Sequence, residues 1–425
     1  MPVRKLFIVF LLFFSLYSNA QLQNDSLLVL KPDRVFDGEE MHEGWQVLIQ
    51  DHKISSVGIF PAPRAARVIE LKGCTLLPGL IEGHSHLFLH PYNETSWNDQ
   101  VLKESRAERL ARATVHARKT LFAGFTTVRD LGTEGSWYDD AGLKKAIEKQ
   151  IIPGPRMIVA TRAIVVSGSY GPRDLNSDIQ TPRGAAEADG MDALVKEVRT
   201  QIGNGADLIK VYADYYWGPE HKAMPTFTID ELERVVEVAS SSGRPVVAHA
   251  TSSEGMRRAV MAGVSTIEHG DEGGVEIFKM MKEKNIAYCP TLAASYSIAK
   301  YRGWKETQPE PGAITEKRKS FKAALQSGVV ICMGGDVGVF PHGNNALEME
   351  LMNAYGMPAL EVLKSATSVN AYVFKISNLV GRIKTGLLAD ILVVQGDPSK
   401  KLSDIKNVRL VMKDGIIYVN EPQFK

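Results

Sequence analysis

Residues 79–86 read G-L-I-E-G-H-S-H. A short apolar run with the character of a strand ends in two imidazoles. Side chains two apart on a strand face the same way, so His84 and His86 can address one point from a single strand end. The same pattern recurs along the chain: an apolar run, then a group able to hold a cation. Lys210 lies in L-I-K-V-Y-A-D, His249 in V-V-A-H-A, His269 in T-I-E-H-G and Asp336 in M-G-G-D-V-G. Taken singly, each histidine reads as a core residue bonded to nearby backbone, and Asp336 as a helix cap. Taken together, His and carboxylate groups at successive strand ends point to a hydrolytic metal centre.

Working outward, residues 76–380 alternate strand-like and helix-like segments. Strands are expected at Leu76 to Gly83, Thr126 to Asp130, Arg156 to Val165, Leu208 to Ala213, Pro245 to Ala250, Ser265 to His269, Ala287 to Leu292 and Val329 to Gly334. Helical patterns separate most of them, including Glu104 to Phe122, Met191 to Ile202, Ile229 to Ser241, Ser253 to Ala262 and Thr315 to Gln326. Near-continuous apolar strands alternating with helices predict an α/β protein with a (β/α)8 TIM barrel. An open doubly wound sheet is the alternative, but it does not obviously gather scattered ligands at one mouth. Hairpin signals occupy both ends of the chain, around Asp37-Gly38 and Glu43-Gly44, and from Ala389 to Val419. They predict one small β-sandwich domain built from residues 21–75 and 381–425, flanking the barrel.

The first twenty residues differ from the rest. Arg4 and Lys5 precede the apolar stretch Leu6 to Tyr17, and Ser18-Asn19-Ala20 fits a cleavage site. Residues 1–20 thus read as a secretory signal peptide, with an uncleaved anchor as the alternative. No later run is long and apolar enough to span a bilayer, so the expected address is periplasmic or extracellular. The 425 residues carry a formal net charge of +1, with no basic stripe interleaved with aromatics, which argues against nucleic acid as a partner. Self-association into a homo-oligomer stays open. The three cysteines, Cys74, Cys289 and Cys332, lie in apolar stretches without C-x-x-C spacing. They read as buried free thiols rather than a zinc site.

Lys210 is the most telling residue. It follows Leu208-Ile209 inside a short apolar strand. A buried ammonium tends to lose its proton, and a neutral amine can add carbon dioxide to become an anionic carbamate able to bridge two cations. The alternative is a lysine that reaches outward or pairs with Asp214 or Glu268.

With these residues in hand, the chain resembles the amidohydrolase superfamily, in the imidazolonepropionase-like branch that includes prolidase-type dipeptidases. The resemblance rests on L-L-P-G-L-I-E-G-H-S-H at 76–86, T-T-V-R-D-L-G at 126–132 and T-G-L-L-A-D-I-L-V-V-Q-G-D-P at 385–398. It implies two divalent metal ions, zinc by donor type. His84, His86 and Asp336 would hold one, His249 and His269 the other, with carboxylated Lys210 between them. It also implies that Asp336 is catalytic, taking a proton from the attacking water and passing it to the leaving nitrogen. The expected activity is hydrolysis of a carbon–nitrogen bond in a small molecule or short peptide, such as a dipeptide or cyclic amide. A lactonase or phosphotriesterase using the same centre is the alternative; deaminases of the superfamily usually lack the lysine.

Substrate contacts are expected from the loops after the strands. Tyr170 and Arg173 lie in S-G-S-Y-G-P-R-D, Tyr212 and Tyr215 follow Lys210, and His342 follows Asp336. An arginine can clamp a carboxylate at two points, and the aromatic stretch from Tyr212 to Pro219 favours a ringed or apolar substrate. Dipeptidase-like relatives often carry a histidine where this chain has Tyr170, and a tyrosine where it has Thr251.

Overall fold

The computed structural model describes residues 27–420 except 174, 177 and 219–221. The expected signal peptide lies outside the described residues. Through the middle of the chain, strands and helices alternate as the apolar runs predict. Leu80–Ser85, Phe125–Asp130 and Arg156–Val159 form a three-stranded sheet. Ile164–Val165, Ile209–Tyr212, Val246–Ala250, Thr266–His269 and Ala287–Cys289 form a second sheet, to which Ala186–Glu187 adds a sixth strand. Every pairing in both sheets is parallel. The strands that carry the candidate ligands are buried almost throughout, as befits a parallel sheet screened by helices.

The helices show why they cover it. Ile229–Ser240 opens with a capping box between Thr228 and Glu231 and buries Leu232, Val235, Val238 and Ala239 along one stripe. Ser253–Ala262 is capped by the Ser252 hydroxyl, buries Met256, Ala259 and Val260, and stops at Gly263 in the left-handed conformation.

Four of the expected strands come out differently: Leu76 to Gly83 divides between Arg67–Pro78 of the terminal sheet and Leu80–Ser85, Ala287 to Leu292 ends at Cys289, and two others break further. Arg156 to Val165 breaks at Thr161, which sits at φ 63° with its N–H given to Asp140 Oδ2 at 2.8 Å. Val329 to Gly334 forms no regular ladder. Ile331 makes a single parallel bridge to Tyr288, and Val337 a single one to Ser85. The cause is a close backbone crossing. A Cβ on Gly334 would lie 2.8 Å from the His84 nitrogen and 2.4 Å from Cys289 Sγ. The segment instead bonds to both neighbours by turns: Cys332 N–H to Tyr288 O at 2.7 Å, Gly83 N–H to Met333 O at 3.0 Å, and Asp336 N–H to His84 O at 2.8 Å. Regular ladders therefore stop short of a closed cylinder.

Strands from both ends of the chain share one eight-stranded sheet. Its order is Ile416–Asn420, Val408–Lys413, Ile391–Gln395, Arg67–Pro78, Leu27–Phe36, Gln46–Gln50 and Lys53–Gly58, with Met41–Glu43 paired to Leu27–Phe36. The strand Arg67–Pro78 runs straight on into Leu80–Ser85. Alternation of side chains gives this sheet two different faces. Leu76, Ile391 and Val393 join a core belonging to the sheet itself, whereas Leu77, Leu392 and Val394 join the large core of the parallel sheets. Among the described residues no helix is long and apolar enough to cross a membrane.

Candidate metal centre

His84 and His86 come from the end of Leu80–Ser85, His249 from Val246–Ala250, His269 from the last position of Thr266–His269, and Lys210 from Ile209–Tyr212. Asp336 comes from the irregular segment after Gly334. Neighbouring register brings them together: Tyr212 pairs with His249, and Ala250 with His269. Asp336 Oδ1 lies 3.3 Å from His86 Nε2 and 3.6 Å from His84 Nε2. Donor atoms of His84, His86 and Asp336 all fall within 4.8 Å of one another, a span one cation can fill. The rings continue across the site, with centroids 5.0 Å apart for His84 and His269 and 4.4 Å apart for His249 and His269. His269 and Asp336 are both held at positive φ, 75° and 64°. Such strain in a residue other than glycine concentrates at functional sites.

Three of the four imidazoles are aimed by a second group. His84 Nδ1 lies 2.9 Å from Glu268 Oε2, His86 Nδ1 lies 2.9 Å from the Gly132 carbonyl, and His269 Nδ1 lies 2.8 Å from the Thr291 hydroxyl. With Nδ1 occupied, Nε2 of His84 and of His86 is left to face Asp336. Glu268 is in turn fixed by Arg129, whose Nη2 donates at 2.7 Å, and by the Thr266 hydroxyl. Partners of this kind set tautomer and ring direction at metal sites.

Burial shapes the charges. It pushes the Lys210 ammonium down from its ordinary value, against the opposing pull of Glu268 and Asp336. It holds His84 at about 4 and pushes His249 and His269 well below the usual imidazole range. These shifts favour the neutral form that a metal ligand needs. His86 and Asp336 form an ion pair. Burial lowers the imidazole, but the bonded carboxylate raises it further; burial raises Asp336, but the His84 and His86 imidazoles more than reverse that.

The donor set fits divalent cations on one further observation. Among the described residues, the completely buried Lys210 Nζ has no hydrogen-bond partner, and His249 Nε2 is likewise unpartnered. Lys210 pairs with neither Asp214 nor Glu268. Buried polar atoms without partners are costly, and these face the same cluster.

The site opens into a cavity of about 980 Å³. His86, His249, His269 and Asp336 line its floor, and Tyr170, Arg173, Tyr212 and Tyr215 its wall. Four of the five expected substrate contacts are thus placed there. The Tyr212 ring stacks on His249 at 4.4 Å, and Arg173 lies over the Tyr215 ring. His342 is the exception and must be corrected. It is buried against His116, with ring centroids 4.2 Å apart, its Nε2 bonds the Leu89 carbonyl at 3.0 Å, and it lines a separate cleft. The loop after Asp336 turns it away from the cluster.

A family model described as "Amidohydrolase family" matches residues 75–417. The chain belongs to the amidohydrolase family. As an amidohydrolase it is a hydrolase acting on carbon–nitrogen bonds. It is 30% identical over 357 residues to ochratoxinase from Aspergillus niger, covering 78% of this chain and 72% of that protein. Its structure is similar to that of an Xaa-Pro dipeptidase with methionine bound in the active site, at a TM-score of 0.83 and 29% identity, covering 93% of this chain and 100% of the other. It is also similar to a prolidase complexed with N-methylphosphonate-L-proline, at a TM-score of 0.81 and 26% identity, with the same coverage. These likenesses agree with the prolidase-type branch that the sequence motifs resemble.

Several residues of this amidohydrolase site escape a reading of the sequence for ligands. Glu268, Arg129 and Glu82 orient the first-strand histidines. Glu82 accepts from the His84 and Gly335 N–H groups at 3.0 and 2.8 Å and from Asn345 Nδ2 at 3.0 Å. Asp214 accepts from the Thr251 and Ser252 N–H groups and lies 3.8 Å from His249 Nε2. Their signal is a charge inside an apolar strand, visible in L-I-E-G, T-I-E-H-G and T-V-R-D. A charge there must be paired, but only the fold says with what.

Proposed function

We propose that this amidohydrolase holds two divalent ions, zinc by donor type, and hydrolyses the amide bond of a small peptide-like substrate. His84, His86 and Asp336 would hold one ion and His249 and His269 the other, with Lys210 between them. The observation that carries this is the unpartnered, buried Lys210 amine amid those five side chains. Burial favours the neutral amine, which would attack carbon dioxide; a nitrogen–carbon bond forms, one proton leaves, and an anionic carbamate results. When bound, ions of this kind acidify a water and polarise a carbonyl. Asp336 would hold the proton given up by the attacking water and return it to the departing amine, which leaves poorly unless protonated. Tyr170, Tyr212 and Tyr215 offer an apolar, ringed wall to the substrate, and Arg173 a guanidinium at the cavity rim for its carboxylate.

The same reading takes the two parallel sheets and the segment around Ile331 to Val337 as one (β/α)8 barrel at residues 76–380, closed by irregular backbone bonds. Bonds at both seams support it: Asp207 N–H to Val159 O at 2.8 Å on one side, Asp336 N–H to His84 O at 2.8 Å on the other. The eight-stranded terminal sheet would be the flanking β-sandwich of residues 21–75 and 381–425. Export to the periplasm or beyond belongs to the same proposal and rests on residues 1–20.

The test is a screen of zinc-loaded protein lacking residues 1–20 against a dipeptide library, with cyclic amides and lactones alongside. Turnover of dipeptides or cyclic amides, lowered when carbon dioxide is excluded during metal loading, is the expected result. Turnover of lactones alone, or full activity after loading in carbonate-free buffer, contradicts the proposal.

A further inference from the structure

One charged group in the cavity takes no part in the chemistry above. Glu134 is 2% exposed and sits at φ 50° in the loop after Phe125–Asp130. Its Oε2 accepts from the Tyr170 hydroxyl at 2.5 Å and from Trp97 Nε1 at 2.9 Å. Its Oε1 has no hydrogen bond among the described residues, and the side chain lines the cavity. The nearest cationic candidate is His86 Nδ1, 3.8 Å away, but that nitrogen already faces the Gly132 carbonyl at 2.9 Å. Arg109 donates to the backbone carbonyl of Glu134 at 2.7 Å, not to its carboxylate. A buried carboxylate needs pairing, and among the described residues no cationic group is hydrogen-bonded to this one. The surroundings suit a cation. Tyr170, Tyr212 and Tyr215 pack together with ring centroids 4.9–5.7 Å apart and line the same cavity as Glu134, and aromatic faces attract ammonium groups.

We infer that Glu134 and the tyrosines around it form a subsite for the free α-ammonium group of the substrate's acyl-side residue. This rests on the amide-hydrolysing reading and sharpens it, separating dipeptides with a free amino terminus from N-acylated amino acids. Position decides for the α-ammonium over a long basic side chain. Glu134 and Asp336 flank the two nitrogens of one imidazole, that of His86. An ammonium on Glu134 therefore stands across a single imidazole ring from the proton-handling carboxylate. An α-ammonium is separated from its scissile carbonyl by a single carbon, and so fits that gap; the tip of a lysine side chain does not. Arg173, across the cavity at the rim, is then left for the carboxylate at the other end of the molecule.

The experiment compares alanyl-phenylalanine with N-acetyl-alanyl-phenylalanine on metal-loaded wild-type protein and on Glu134→Gln. Glutamine keeps an oxygen for Tyr170 and Trp97 but loses the charge. Wild type should favour the free dipeptide by about tenfold or more in kcat/KM, mostly through KM, as a charge-assisted bond implies. Glu134→Gln should lose that preference while its rate on the acetylated compound stays within about twofold of wild type. Equal or better cleavage of the acetylated compound by wild type overturns the subsite, as does a variant that loses both substrates equally. If neither compound is cleaved, the hydrolytic reading falls separately. Calorimetric binding then decides the subsite: tighter binding of the free dipeptide, lost in Glu134→Gln, supports it, and equal binding overturns it.

Discussion

Lys210 concentrates the cost of the site in one side chain. Its amine is fully buried, carries no hydrogen bond among the described residues and is pushed towards neutrality by desolvation. A fold selected for stability alone would place an apolar chain there. Lys210→Met in metal-free protein should therefore raise stability by about 1–3 kcal/mol, the penalty of an unsatisfied buried polar group. The same change should abolish hydrolysis. Urea unfolding read beside activity checks this; a variant that is less stable, or still active, counts against a functional role for the amine. At this scale much of the centre is legible in the sequence. His84, His86, His249, His269 and Asp336 each end an apolar run, and strand ends are where a parallel sheet gathers its chemistry. His342 was not legible. It follows Asp336 by six positions in a loop, and loop direction is set by contacts with His116 and Leu89 that no local pattern encodes. Glu134 was missed for a similar reason: its partners, Trp97 and Tyr170, lie on segments 37 residues before and 36 after it.

Among the elements, the segment from Val329 to Val337 does most to assemble the site and is the least regular. Its apolar residues suggest a strand, and periodicity alone cannot show that Gly334 crosses Leu80–Ser85 at backbone distance. That crossing lets Asp336 N–H bond His84 O, which fixes the carboxylate against both imidazoles. Gly334→Ala would drive a Cβ to within 2.8 Å of the His84 nitrogen, and backbone cannot yield as a side chain can. The expected result is destabilisation of about 1–3 kcal/mol together with weaker metal binding, read by thermal melts and by metal retention through dialysis. A variant with wild-type melting and wild-type metal retention would show that the crossing does not position the carboxylate. The break at Thr161 has a comparable origin. Asp140, from the helix Asp139–Glu148, takes the Thr161 N–H and bends an apolar stretch that otherwise reads as one strand.

For the whole molecule, the terminal sheet is part of the central architecture rather than an appendage. The strand Arg67–Pro78 carries Leu76 into the sheet's own core and Leu77 into the central one, and Ile391–Gln395 does likewise. Arg156 adds polar ties, donating to Asp414 Oδ1 at 2.6 Å and lying 3.5 Å from Asp390. Deleting residues 389–425 should thus leave insoluble or non-cooperatively unfolding protein, because both cores lose side chains at once. A soluble truncated chain with a single sharp melt would contradict that. The sequence showed that the termini are β-rich; it could not show that one strand serves two cores. Catalysis on this reading depends on six side chains from four strands and one irregular segment holding a pair of cations. Metal content per chain, measured with hydrolysis on wild type and on Lys210→Ala, tests it most directly. The account predicts about two ions per active wild-type chain, and for Lys210→Ala about one or fewer with hydrolysis lost. Full activity in metal-free protein, or two ions and an unchanged rate in Lys210→Ala, would contradict it.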